Sequence, residues 1–356
     1  MIEVLLQVCI AARVPVLLWG PPGAGKSSLV RSVGEAMGLP VETIIASIRE
    51  PADFAGLPVL REDGVRLEPP AWARRLAQAG KGLLFLDELS TAPPAVQAAL
   101  LRVVLERTVG ELTLPEGVAI IAAANPPEET GLAWELSPPL ANRFLHLEWG
   151  GLGAQSWSEA LLSGFNPPEV LRFREGGKEL EESKALVAAF IRQHPRLLRA
   201  MPKEGGAQSK AWPSQRSWAM AVEVLAAARR AGLEEEAEML LLSGAVGPGT
   251  ALEFIGWKRH MDFPDPELVL WEPERFPQEA REDQAYALLS SVVSIAQWNE
   301  ERWKAAWRVL AQAAAVGHRD VAAQSARILA KARQRAWRVP AEVRVFQPLL
   351  QEAGLL

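Results

Sequence analysis

Lys26 and Ser27 close the stretch WGPPGAGKSS (residues 19–28), where glycines at 20, 23 and 25 free the backbone to turn tightly. Gly20, Gly25, Lys26 and Ser27 take the fixed positions of G-x-x-x-x-G-K-[ST]. Such a loop turns successive backbone N–H groups toward an anion, and the helix that follows adds the positive end of its dipole. On this reading Gly20, Pro21, Pro22, Gly23, Ala24, Gly25, Lys26, Ser27 and Ser28 surround the phosphates of a nucleotide such as ATP. Lys26 reaches the terminal phosphates, and Ser27 supplies an oxygen to Mg²⁺.

Asp87 and Glu88 end an apolar run, GLLFLDE (82–88). An open parallel sheet gathers ligands at the carboxyl ends of its strands, so this pair falls at the same edge as the loop. Asp87 can hold Mg²⁺ through water, and Glu88 can polarise an attacking water. The competing reading is an acidic pair that is simply solvated. Asn125 ends another run, GVAIIAAAN (117–125). Its short amide can orient a lytic water or meet a γ-phosphate without adding charge, or else open a turn at Pro126-Pro127.

What must position these groups is a set of strands buried on both faces, which read as continuous apolar runs. Such runs are VPVLLW (14–19), VETIIAS (41–47), the two just named, and FLHLEW (144–149). Helical patterns between them, from about Lys26 to Met37 and from Pro94 to Glu106, predict an α/β fold with helices on both faces of a parallel sheet. After Trp149 the pattern becomes helical, over 179–200, 214–231, 234–246, 284–298, 300–316 and 319–336. Gly-rich 203–207 and Pro-rich 263–277 read as linkers or exposed loops.

A chain of 356 residues exceeds one ordinary hydrophobic core, so two or three domains are expected. A net charge of −5 leaves no global electrostatic footprint for nucleic acid. Apolar runs stay short of the ~20 residues that a membrane span needs. Glu3 and Arg13 do not suit a secretion signal, so a cytoplasmic protein is expected. The single cysteine, Cys9, rules out an intrachain disulfide and reads as a packed thiol.

GPPGAGKS, LLFLDE, AAANPP and PPLANRF (138–144), in that order, resemble the AAA+ ATPases. IREPADFAGLP (48–58), APPAVQAALLRVVLERTVGELTLPEG (92–117) and WPSQRSW (212–218) resemble their MoxR branch, over roughly residues 10 to 260. The resemblance implies a P-loop nucleotide-binding core at 1–150, a helical lid at 151–261 and a helical extension at 262–356. It also implies Mg²⁺-dependent ATP hydrolysis by a homo-oligomeric ring, a hexamer, that remodels or matures a protein client. Proteins with a von Willebrand factor A domain are the client type it suggests. By resemblance Asn125 is the first sensor, and Arg143 is an arginine finger for the neighbouring subunit. Arg216 is a second sensor acting in cis. The segments 57–76, with a turn at Glu62-Asp63-Gly64, and 107–117 read as hairpins. Phe54 is a candidate for client contact or a core residue.

In the second half, Arg327, Lys331, Arg335 and Arg338 share helical spacing and form a basic stripe. It is either a solvated face or a dock for an acidic partner. Trp298, Trp303 and Trp307 suit packing, and His194, His260 and His318 lack metal-ligand spacing. Three alternatives remain beside the remodelling ATPase: an AAA+ loader or helicase, a small-molecule kinase, and a nucleotide-gated assembly protein.

Overall fold

The computed structural model describes residues 1–62, 64–126, 134–259, 264–297 and 299–355. Asp63, Pro127, His260 and Trp298, named above, lie outside the described residues. Helix α1 (Ile2–Ala11) leads into strand β1 (Val16–Trp19), and α2 (Lys26–Ala36) follows the glycine-rich loop. Then come β2 (Val41–Ile45), the single turn α3 (Ala52–Ala55), the hairpin β3 (Leu57–Arg61) and β4 (Gly64–Glu68), and α4 (Ala71–Ala79). β5 (Lys81–Asp87), α5 (Pro94–Glu106), a second hairpin of β6 (Thr108–Val109) and β7 (Leu112–Thr113), β8 (Gly117–Ala124), α6 (Pro138–Ala141) and β9 (Leu145–Glu148) complete the α/β region.

Five strands pair in the order β2-β5-β8-β1-β9, all parallel. β1, Leu83–Leu86 of β5 and Val118–Ala124 of β8 are buried along their length, as continuous apolar runs require. Register brings their carboxyl ends level: Trp19 lies opposite Ala124, and Ile45 opposite Asp87. The loop, the acidic pair and Asn125 therefore emerge along one edge. Cys9 is fully buried in α1, and that burial pushes its thiol pKa up, so it stays protonated. Phe54 is a core residue, 1% exposed and packed 6.5 Å from the Trp72 ring, which removes it as a client contact.

Beyond β9 the described chain is helical: α7 (Ala154–Ser163), α8 (Lys178–Gln193), α9 (Gln215–Arg230), α10 (Glu235–Val246), α11 (Pro266–Trp271), α12 (Glu282–Ala296), α13 (Glu300–Ala315) and α14 (Arg319–Lys331), with a further helix at Pro248–Arg259 and shorter turns. None of the described helices is long and apolar enough to cross a membrane. The chain divides into two compact units, Met1–Glu175 with Leu198–Leu252, and Gly176–Leu197 with Glu253–Leu356. They are not consecutive, unlike the partition 1–150, 151–261 and 262–356, because α8 packs against the distant α12.

Two expectations need correction. Pro-rich 263–277 is not all loop. Asp265 caps α11 by accepting from the Glu267 N–H at 2.9 Å, Pro266 fits the first turn, and Val269 and Leu270 are fully buried. The helix expected to reach 336 stops at Lys331, and Arg335 and Arg338 lie beyond it. Trp337 draws the chain off the helix by packing 5.7 Å from Trp303 in the unit's core. Trp303 and Trp307 are each 1% exposed, as packing residues should be.

Candidate active site

The loop begins where β1 stops. The Gly20 N–H donates to the Ala124 carbonyl at 3.2 Å, and a Cβ at Gly20 would lie 2.0 Å from the Trp149 carbonyl oxygen, so no side chain fits there. Gly25 takes φ 86° as it hands the chain to α2, a left-handed conformation that glycine adopts without strain. Lys26 Nζ donates to the carbonyls of Gly20 (2.7 Å) and Pro21 (2.9 Å) and to Asn125 Oδ1 (2.7 Å). The predicted phosphate lysine and first sensor are thus in contact. Together with Pro22–Ser28, Asp87 and Glu88 they surround a cavity of about 300 Å³.

Ser27 Oγ donates to Asp87 Oδ2 at 2.6 Å. A hydroxyl and a carboxylate converging at a helix N-terminus form the hard-oxygen donor set that suits Mg²⁺, so these residues fit the ion. Glu88 stands one residue on, with its carboxylate held by Ser47 Oγ at 2.5 Å. The Ile45–Asp87 register explains this meeting, since Ser47 and Glu88 both lie just past that pair. Ser90, fully buried, donates through Oγ to the Asn125 carbonyl and accepts from the Asn125 N–H, each at 3.1 Å. Ser47 and Ser90 were missed because serines carry no motif of their own here.

Neither Arg143 nor Arg216 lines this cavity. Arg143 donates through Nη1 to the Pro139 carbonyl, while its Nε is buried with no partner among the described residues. Burial first, and the nearby Arg216 charge second, hold its guanidinium below the usual arginine range. Asn142 fastens the two together. Its Oδ1 accepts from Ser214 Oγ at 2.7 Å and its Nδ2 donates to the Trp212 carbonyl at 3.3 Å. Ser214 caps α9, whose second residue is Arg216.

A family model described as "AAA domain (dynein-related subfamily)" matches residues 15–144, the span from β1 to the arginine just considered. Residues 15–144 are an AAA domain. Over this region the chain is similar to Protein MoxR of Methylorubrum extorquens. The identity to MoxR is 36% over 107 residues, 30% of this chain and 31% of that protein. ATPase family gene 2 protein homolog B of Homo sapiens is 37% identical over 120 residues, 32% of this chain and 15% of that protein. The chain thus spans less than a third of the length of either relative. A solved structure from Cytophaga hutchinsonii covers 69% of this chain and 80% of its own at 19% identity, with a TM-score of 0.46.

Beside the AAA domain's P loop lies a second cavity, of about 490 Å³, mainly apolar and lined in part by Met1, Ile2, Leu5, Trp19, His146 and Lys210. Trp19 Nε1 donates to His146 Nδ1 at 2.9 Å, so the imidazole proton sits on Nε2, facing the Ala141 carbonyl at 2.9 Å. Burial pushes the His146 pKa down to about 4; the Ala141 bond opposes this and Lys210 reinforces it. The unfolded imidazole protonates near pH 6.5, whereas the folded one remains neutral until about 4. Its stabilisation is therefore complete above pH 6.5 and is lost as pH falls toward 4, by up to ~3 kcal/mol. Urea unfolding at pH 7.5 and 4.5 should show wild type losing more stability than His146→Gln, whose amide can keep both hydrogen bonds. Equal losses would remove His146 as the acid-sensitive group.

Proposed function

We propose that this chain is an Mg²⁺-dependent ATPase that works as a homo-oligomeric ring, a hexamer, and uses hydrolysis to remodel or mature a protein client. The observation that carries the reading is the convergence of Lys26, Ser27, Asp87, Glu88 and Asn125 on one cavity at the carboxyl edge of the sheet. Loop N–H groups and Lys26 bind the β- and γ-phosphates, and Ser27 and Asp87 hold the metal. Bound Mg²⁺ neutralises charge between those phosphates. Glu88, released from Ser47, takes a proton from the attacking water, and Asn125 orients that water. The apolar cavity walled by Trp19 suits the purine base.

Among the described residues Lys26 is the one cation lining the nucleotide cavity. Charge developing on the γ-phosphate needs another, and Arg143 does not line the cavity of its own chain. This favours a ring in which a neighbour supplies it. Arg216 shares its location, so its contact with a nucleotide requires the assembled ring or a movement of α9. A von Willebrand factor A domain protein is the client type that MoxR resemblance suggests. The alternative, an AAA+ loader or helicase on nucleic acid, draws support from the basic residues after Arg327 and is opposed by the net charge of −5.

Wild type and Lys26→Ala compared in MgATP test the reading. Wild type should release free phosphate and melt at higher temperature with MgATP, by the ~2.7 kcal/mol expected at a hundredfold excess over Kd. Lys26→Ala, with an unchanged circular dichroism spectrum, should show neither effect. Undiminished hydrolysis in the variant, or labelled phosphate arriving on a metabolite, would overturn the reading.

A further inference from the structure

We propose that the exposed basic segment 327–345 of the C-terminal helical unit docks an acidic protein segment rich in aliphatic side chains. The proposal is independent of nucleotide turnover. Residues 327–345 carry Arg327, Lys331, Arg333, Arg335, Arg338 and Arg344 against a single carboxylate, Glu342, in a chain whose net charge is −5. All six cations are exposed. Several cations elsewhere in this unit are matched: Lys184 with Glu181, Arg275 with Glu272, Arg302 with Glu267 and Lys304 with Glu300. Arg327, Lys331, Arg335 and Arg344 make no such pair among the described residues. Such a concentration of like charge repels itself, and an acidic ligand relieves that repulsion.

The segment is held in place before any partner arrives. Arg333 folds back, donating through Nε and Nη2 to the Trp337 carbonyl at 3.1 and 2.9 Å. The Arg338 N–H donates to Glu300 Oε1 at 2.9 Å, so the turn after α14 is tied to the start of α13. Less ordering is then required on binding.

The side chains between the cations select the kind of partner. Ile328, Val339 and Val345 are 48%, 41% and 42% exposed. The aromatic residues of this stretch, Trp337 and Phe346, are buried. Single-stranded nucleic acid is gripped by exposed aromatic platforms on which bases stack. Arginines interleaved with aliphatic side chains instead match an amphipathic acidic helix, whose carboxylates take the guanidinium forks while its leucines cover the aliphatics.

The full chain is titrated with a fluorescein-labelled synthetic peptide carrying Glu and Leu at helical spacing. A labelled oligothymidylate of equal length is titrated in parallel. The peptide should bind saturably and more tightly than the oligonucleotide, weakening about tenfold when salt rises from about 0.05 to 0.3 M. Combined R327E, K331E and R335E substitutions should weaken peptide binding by at least about tenfold, and I328S by a few-fold, with phosphate release in MgATP unchanged. Thermal melts confirm that each variant is folded. Absence of saturable peptide binding, indifference to charge reversal or to I328S, or an oligonucleotide bound as tightly as the peptide, would overturn the proposal.

Discussion

Arg143→Ala should lower ATP hydrolysis by about 10³- to 10⁵-fold while leaving nucleotide binding intact, a loss of about 4 to 7 kcal/mol in the barrier. Binding is spared because the cavity of the same chain is lined without Arg143. On the proposed ring, rate is lost because an arginine brought by a neighbour stabilises charge only as the γ-phosphoryl group departs. A mixing experiment separates this from local damage. In a ring joining Arg143→Ala to Lys26→Ala subunits, some interfaces combine an intact loop from one chain with an intact arginine from the next. Activity should reappear on mixing two inactive proteins. Full activity of Arg143→Ala alone, or no recovery from the mixture, counts against the ring.

Glu88→Gln should reduce hydrolysis by about 10²- to 10⁴-fold and leave ATP bound. The amide has nearly the same shape and can still bond Ser47, so the backbone has no reason to move. It cannot accept a proton from water at neutral pH. Single-turnover hydrolysis and retention of labelled ATP on a filter distinguish the two losses. A variant keeping more than about a tenth of the wild-type rate would assign proton abstraction elsewhere. Lys26→Ala, losing binding itself, serves as the contrast.

The parallel sheet could be read in advance because its inner strands are covered on both sides and so are apolar without a break. α5 was equally plain, since Pro94 opens it and the first hydrogen bond it forgoes is one the helix does not need. α7 was missed. It buries no residue and exposes Trp157, Leu161 and Leu162, so no one-sided pattern marks it. α11 was hidden by surrounding prolines, though Asp265-Pro266 is a good start signal in itself. The pairing of α8 with α12 depends on contacts about a hundred residues apart, beyond any local pattern.

In the site, residues with a fixed spacing were visible and their supports were not. Lys26, Ser27, Asp87 and Glu88 belong to runs whose chemistry is local. Ser47, Ser90 and Asn142 act through partners that only the register of the sheet and the arrival of α9 bring near. Arg216 could be tied to a motif, yet its location beside Arg143 follows from Asn142 holding Ser214.

Glu88 has a backbone φ of 57° and ψ of 41°, a left-handed conformation in which any side chain but glycine's crowds its own carbonyl. The cost is on the order of 1 kcal/mol, and it is present whether or not nucleotide is bound. On the proposed role of Glu88 as base, heat resistance and turnover therefore pull this position in opposite directions. A laboratory lineage selected only for survival at high temperature would gain by drifting to glycine or asparagine at 88, and would emerge sturdier and inert. A lineage screened for activity at every round would have to find its extra stability somewhere else in the chain.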